Sequence, residues 1–175
     1  MKSILSMAVL VLLVSGCRPE VTETSTKTTH PSHKYTLSDR TAASLNYLES
    51  DYVPVYSDIY ERDGTKRFML TTTISIRNTS LSDSAYILHA RYYDSYGKPL
   101  KDYLDSTVLL SPLESVEFVV EEVEDLGGAG ANFIVEWGAD RWSDQILIQS
   151  VMIGTFAGQG VSFLSDAKVI SSSGR

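Results

Sequence analysis

From Lys66 to Ser80 the chain reads KRFMLTTTISIRNTS, and side-chain character alternates at nearly every step. Phe68, Leu70, Thr72, Ile74 and Ile76 share one side of an extended chain, while Met69, Thr71, Thr73, Ser75 and Arg77 share the other. A period of two, rich in β-branched residues, fits a strand buried on one face and does not fit the 3.6-residue period of a helix. A strand with one apolar face must cover that face against a second layer. This one feature therefore commits the chain to a layered β architecture.

The pattern recurs. AYILHARYY (Ala85–Tyr93) follows the turn residues Asn78 to Ser84, and DSYGKP ends it. DYLDSTVLL runs up to Ser111 and Pro112, and SVEFVVEEV sets Val116, Phe118 and Val120 against Glu117, Val119 and Glu121. NFIVEWG, QILIQSVMIGT and GVSFLS complete the series, with DYVPVYSDIY as an expected first edge strand, because Pro54 cannot donate to a ladder. About eight short strands without a long helix predict an all-β, antiparallel two-sheet sandwich of immunoglobulin or fibronectin type, with a closed barrel as the alternative.

The N-terminus is of another kind. MKSILSMAVLVLLVSGC has Lys2 as a positive flank, an apolar run from Ile4 to Val14, and small residues up to Cys17. That is the form of a secretory signal, too short for a spanning helix. Val14-Ser15-Gly16-Cys17 resembles the lipobox of bacterial lipoproteins, which implies cleavage before Cys17 and lipidation of its thiol. Several acyl chains hold a protein to a bilayer firmly, at about 0.8 kcal/mol per buried methylene. Arg18, in place of a retention-type aspartate, points to the outer membrane, facing the periplasm, if the host is Gram-negative. The expected division is a signal peptide over 1–16, a lipidated Thr/Ser/Pro-rich tether over 17–50, the β domain over 51–170 and a flexible tail over 171–175. Ser38 to Ser50 would form at most one or two helical turns capped by Ser38.

Charge and chemistry narrow the partners. The formal charge is -7, and loss of Lys2 with the signal leaves 14 minus 22, or -8. Such a surface repels nucleic acid and anionic lipid headgroups. Cys17 is the single cysteine, so no disulfide forms within the chain. His30 and His33 are spaced as ligands but lie in the tether without further donors, so no metal or cofactor is expected. His89 is the remaining histidine, placed by alternation with Ile87 and Arg91, opposite Leu88 and Ala90. No nucleophile motif accompanies it, and no catalytic residue is assigned. Glu121, Glu122, Glu124 and Asp125 read as a solvated edge, lacking the regular spacing of a calcium loop. Gly127, Gly128 and Gly130 resemble a phosphate cradle, but a strand rather than Lys and a helix follows them, so they read as a hairpin turn or bulge. Asn78-Thr79-Ser80 matches a glycosylation sequon without expected meaning in a bacterial lipoprotein.

Tyrosine is abundant, with 10 residues. Tyr52, Tyr56 and Tyr60 would lie on one side of a regular first strand, and Tyr92, Tyr93, Tyr96 and Tyr103 gather near the YYDSYGKP turn. The second group is the candidate binding surface, since tyrosine combines a flat apolar body with a polar tip.

The blocks DYVPVYSDIY, LTTTISIRNTS, YYDSYGKPLKDYL, LSPLESVEFVVEE, GGAGANFIVEW and VMIGTFAGQGVSF occur in the same order as in a bacterial family, domain of unknown function 3124, which this chain resembles over roughly Tyr52 to Val169. The resemblance implies a short exported protein, often a lipoprotein, and brings no catalytic residue, substrate or cofactor. Three readings stay open, in this order: a membrane-anchored, non-catalytic module binding an envelope protein, peptide or glycan; a hydrolase of an envelope polymer; and a structural subunit assembling through a sheet edge.

Overall fold

The computed structural model describes residues 35–61, 63–120, 127–142, 145–156 and 158–174. Strands in chain order are β1 (Thr36–Leu37), β2 (Tyr47–Pro54), β3 (Asp58–Glu61), β4 (Lys66–Met69), β5 (Thr71–Asn78), β6 (Ala85–Tyr93) and β7 (Pro99–Asp102). They continue with β8 (Val108–Leu110), β9 (Ser115–Val120), β10 (Asn132–Ala139), β11 (Ile146–Phe156), β12 (Gln159–Asp166) and β13 (Lys168–Ser173). A seven-stranded sheet runs in the order β1-β8-β6-β10-β2-β13, with β7 also paired to β6. A four-stranded sheet runs β12-β11-β5-β9, and β3 with β4 forms a separate ribbon. All pairings are antiparallel. The sheets pack face to face as an open sandwich, and the closed-barrel alternative is set aside.

The core lies between the sheets. Ile74, Ile76, Val116, Phe118, Val120 and Ile148 of the smaller sheet meet Val53, Ile87, Phe133, Val135 and Trp137 of the larger one. Burying each of these side chains contributes about 1.5–3 kcal/mol. Alternation in β5, β9 and β10 is therefore the main source of cohesion. Asn78 closes the corner where the chain leaves β5. Its buried amide donates to the carbonyls of Asp83 (2.7 Å), Leu110 (3.1 Å) and Ser111 (3.1 Å), so the sequon asparagine is an interior staple.

Several expectations change. The run from Lys66 divides at Leu70, whose N–H donates to Ser57 (2.8 Å), so β4 joins the ribbon and β5 the sheet. β2 is not an edge: β10 and β13 flank it, and Pro54 is tolerated because it is the last residue of the strand. The chain breaks between β2 and β3, so Tyr52, Tyr56 and Tyr60 do not line one strand. DYLDSTVLL is likewise two strands, β7 and β8.

The boundary expected at residue 51 falls inside β2, and the expected tail contributes Ser171 to Ser173 to β13. Residues 35–46 are held by the two-residue β1, paired with β8, and otherwise by single bonds, which is why their pattern is silent. The Tyr35 hydroxyl donates to the Glu117 carbonyl (2.9 Å), the Thr107 hydroxyl donates to the Arg40 carbonyl (2.8 Å), and Arg40 pairs with Asp140. The only helical element among the described residues is a single 3-10 turn, Ala42–Ser44, in which Ser44 Oγ accepts from the Thr41 N–H (3.0 Å). Ser38 does not cap it. Cys17, the signal, His30, His33 and the acidic run 121–125 lie outside the described residues.

Candidate functional site

A concavity with titratable lining residues lies on the outer face of the seven-stranded sheet, beside a backbone irregularity. Glu136 of β10 is opposite His89, but the next residue, Trp137, is opposite Ile87, so Leu88 is an extra residue in β6. Such a bulge shifts the phase of the strand by one. Ala85 and Ile87 point inward before it, and Ala90 and Tyr92 point inward after it. His89 and Arg91 consequently face outward. The expectation that His89 shares a side with Ile87 is corrected: uninterrupted alternation would have driven both His89 and Arg91 into the core.

Once outside, these side chains form a connected network. His89 Nδ1 lies 2.8 Å from Asp102 Oδ2, and Arg91 Nε lies 3.5 Å from the same oxygen. Arg91 Nη1 reaches across to Glu136 Oε1 at 2.8 Å. Asp102 Oδ1 accepts from the N–H groups of Ala90 (3.2 Å) and Leu104 (3.2 Å), which fixes the carboxylate at the end of β7. Partial burial raises the Asp102 pKa, but hydrogen bonds from His89, Leu104 and Ala90 outweigh it and hold the carboxyl below the usual aspartate value. An ionised carboxylate only accepts, so His89 carries a proton on Nδ1.

The 3-10 turn passes beside this network and leaves a groove of about 280 Å³. Leu88 and Leu104 give it apolar surface, Thr41, Ser106 and Thr107 bring hydroxyl-bearing residues, and His89, Asp105 and Glu136 bring titratable ones. A second groove of about 280 Å³ shares Ala42, Leu88 and Glu136 and runs toward Ser171 and Ser173 of β13. Apolar surface mixed with hydrogen-bonding groups can hold a sugar ring or an extended peptide. Among the described residues, no group of three or more His, Cys, Asp or Glu is placed to hold a metal ion.

The tyrosines proposed as a binding surface are placed differently from one another. Tyr92 is 2% exposed and stacks on Phe133, with ring centroids 5.0 Å apart. Tyr103 is half-buried, 5.3 Å from the Phe133 ring and 5.6 Å from that of Phe118, with Lys101 over its face. Tyr93 is half-buried, and Tyr96 is 95% exposed on the turn. The four do not form one aromatic surface; two are pillars of the core.

The glycine stretch is a turn, though not a hairpin, because β9 and β10 belong to different sheets. Its amides are already engaged: Gly128 N–H donates to Ser57 Oγ (2.7 Å) and Gly130 N–H to Ser95 Oγ (2.9 Å). Gly128 has φ +81°, and a Cβ there would come within 2.7 Å of Ser95 Oγ, so the fold requires glycine at that position.

Sequence reasoning missed Asp51. Its side chain is buried on the inner face of β2 and accepts from Trp137 Nε1 at 2.9 Å. Burial pushes its pKa up to about 6, the Trp137 hydrogen bond opposes this, and Glu49 two residues earlier adds to it. Glu49 in turn accepts from the Tyr47 hydroxyl. The signal for this pair was visible: in ESDYVP both carboxylates share the parity of Val53.

Fold and groove together define an antiparallel β-sandwich with a charged, shallow cleft on one outer face. A family model described as "Protein of unknown function (DUF3124)" matches residues 49–170, and the chain belongs to that family. No curated protein matches. Among solved structures, the crystal structure of Thermotoga maritima 1070 is similar at 12% identity, covering 69% of this chain and 92% of that one, with a TM-score of 0.42.

Proposed function

We propose that this protein is a lipid-anchored, non-catalytic binding module of the bacterial cell envelope, with the groove on the outer face of the large sheet as its ligand-facing surface. The observation that carries the reading is the bulge at Leu88, which spends a disruption of the ladder to turn His89 and Arg91 outward beside Glu136. Bulges commonly re-aim side chains at sites of interaction. The mixed surface of Leu88, Leu104, Thr107 and Glu136 suits an extended glycan or peptide strand. The anchor reading rests on Val14-Ser15-Gly16-Cys17.

Two measurements test it. Membrane fractionation of wild type against Cys17→Ser tests the anchor, and equal membrane association would remove it. Co-sedimentation with purified cell-wall sacculi tests the surface: His89→Ala with Glu136→Gln is expected to weaken binding at least about tenfold, a loss of about 1.4 kcal/mol. Sacculus binding that is absent, or unchanged in the double variant, counts against the groove.

A second reading has one specific observation behind it. His89, oriented by Asp102, shares the groove with Glu136 and Ser106, groups that acid–base chemistry uses. If the protein is a hydrolase, soluble fragments appear from sacculi, and His89→Ala abolishes them.

A further inference from the structure

Residues directly opposite one another on neighbouring strands share a face of the sheet, so the register of the large sheet shows what lies beyond the groove on its outer face. Ser50 and His89 flank Glu136 in one row. In the next row Tyr52 and Arg91 flank Ile134, and in the row after it Pro54 and Tyr93 flank Asn132. The residues that alternate with these, Asp51, Val53, Tyr92, Phe133 and Val135, are buried, whereas Tyr52, Tyr93, Ile134 and Asn132 are half-buried. The extra residue Leu88 governs this row as well, because without it Tyr93 would turn inward with His89 and Arg91.

Most tyrosines spend their rings inside the molecule: Tyr47 packs on Trp137, and Tyr92 and Tyr103 pack on Phe133. Tyr52 and Tyr93 differ. Among the described residues no ring or cation lies against either, and no hydrogen bond engages the side chains of Ser50 or Asn132 beside them. With strands about 4.8 Å apart and residues about 3.4 Å apart along them, the two tyrosine Cα atoms are about 12 Å apart, so each ring can take a different unit of one ligand chain.

We propose that Tyr52 and Tyr93, on either side of Ile134, form a stacking strip for an uncharged linear glycan whose chain continues past Glu136 into the groove; this rests on the groove being the ligand-facing surface. Three features select that occupant. First, β2, β10 and β6 are interior strands whose backbone groups are taken up by the ladder, so an extended peptide finds no open row of N–H and C=O groups here. Second, the charges largely answer one another. Asp102 and Glu136 engage Arg91, and the two further charges, Lys168 opposite Tyr52 and Asp105 in the groove, are of opposite sign. An ionic partner therefore meets no field of one sign. Third, what remains is two flat rings with hydroxyl and amide groups between them. A sugar ring is the complement of that surface, with C–H faces to stack on tyrosine and hydroxyls at its rim to bond Ser50 and Asn132.

The test is titration of the full-length chain with a neutral probe, the β-1,4-linked hexamer of N-acetylglucosamine. Tyr52→Ala and Tyr93→Ala are each expected to weaken binding at least about tenfold, while Tyr96→Ala, on the exposed turn, changes it less than about twofold. Tyr52→Phe and Tyr93→Phe keep the ring and should stay within about threefold of wild type. Nitration of the unsubstituted protein gives a reading that no folding defect can imitate: bound hexamer should slow modification of Tyr52 and Tyr93 at least about fivefold and leave Tyr96 unprotected. Sacculi separate this proposal from the groove reading. If sacculi bind and the His89 and Glu136 double variant weakens them, but the hexamer neither competes nor protects the two tyrosines, the glycan strip is overturned and the groove reading stands. Competition by free stem peptides in place of the hexamer has the same meaning. Binding of neither sacculi nor hexamer overturns both.

Discussion

Asp51 and Asp102 meet the same kind of partner in opposite settings. Asp51 accepts from an indole N–H at 2.9 Å and Asp102 from an imidazole nitrogen at 2.8 Å, yet the first is pushed up to about 6 and the second is held down. The ring donor is not what differs. Asp51 is buried between the sheets beside another carboxylate and has one strong donor opposing those effects. Asp102 is only partly buried and collects a ring nitrogen, two backbone N–H groups and a nearby guanidinium. The number of donors per buried charge decides the direction.

Removing the donor from the buried site should have the largest effect. Trp137→Phe takes the N–H from Asp51 and leaves a gap beside Tyr47, so we expect a loss of about 3 kcal/mol at pH 8 and a smaller loss at pH 4, where Asp51 is protonated. Urea unfolding at the two pH values measures this; equal losses would mean that packing alone matters.

Asp51→Asn comes next, with the opposite sign. A folded pKa raised above the unfolded value means that the native state binds the extra proton between pH 3.8 and about 6, so wild-type stability falls as pH rises through that window and stays lower above it. The asparagine variant lacks that decline. We expect it to be more stable than wild type by about 2 kcal/mol at pH 8, with the gain vanishing near pH 4.

Asp102→Asn should destabilise at neutral pH by about 1 kcal/mol, since the side chain is partly exposed and its backbone donors keep an acceptor. Here the folded pKa is depressed, so the wild-type advantage is present above pH 4 and lost in stronger acid. Melting temperatures across that range report it, and an advantage that grows in acid would reverse the assignment. Glu136→Gln should be smallest, about 0.5 kcal/mol or less in thermal denaturation, because the Arg91 pair is about one-third exposed and screened.

Much of the fold was legible. Val116, Phe118 and Val120, then Phe133, Val135 and Trp137, are buried on the side that alternation assigns them. The glycine turn was also legible, because a phosphate loop needs partners that do not follow it. The groove was not. Its position depends on the extra residue Leu88, and a bulge is defined by what lies on the neighbouring strand, which no single-strand pattern contains. The packing of the tyrosines was not legible for a related reason. Tyr92 and Tyr103 have the composition of a binding surface, but whether a ring is pillar or platform depends on the Phe133 and Phe118 that meet it.

By itself the amino-acid order determined that this protein is a layered β structure with an acidic exterior, because side-chain parity and charge are local properties of an extended chain. Tertiary structure alone decided which residues beyond the strands joined the fold and which way His89 and Arg91 face. Those outcomes arise from pairing between strands distant in sequence, where one extra residue turns the following side chains to the other face of the sheet.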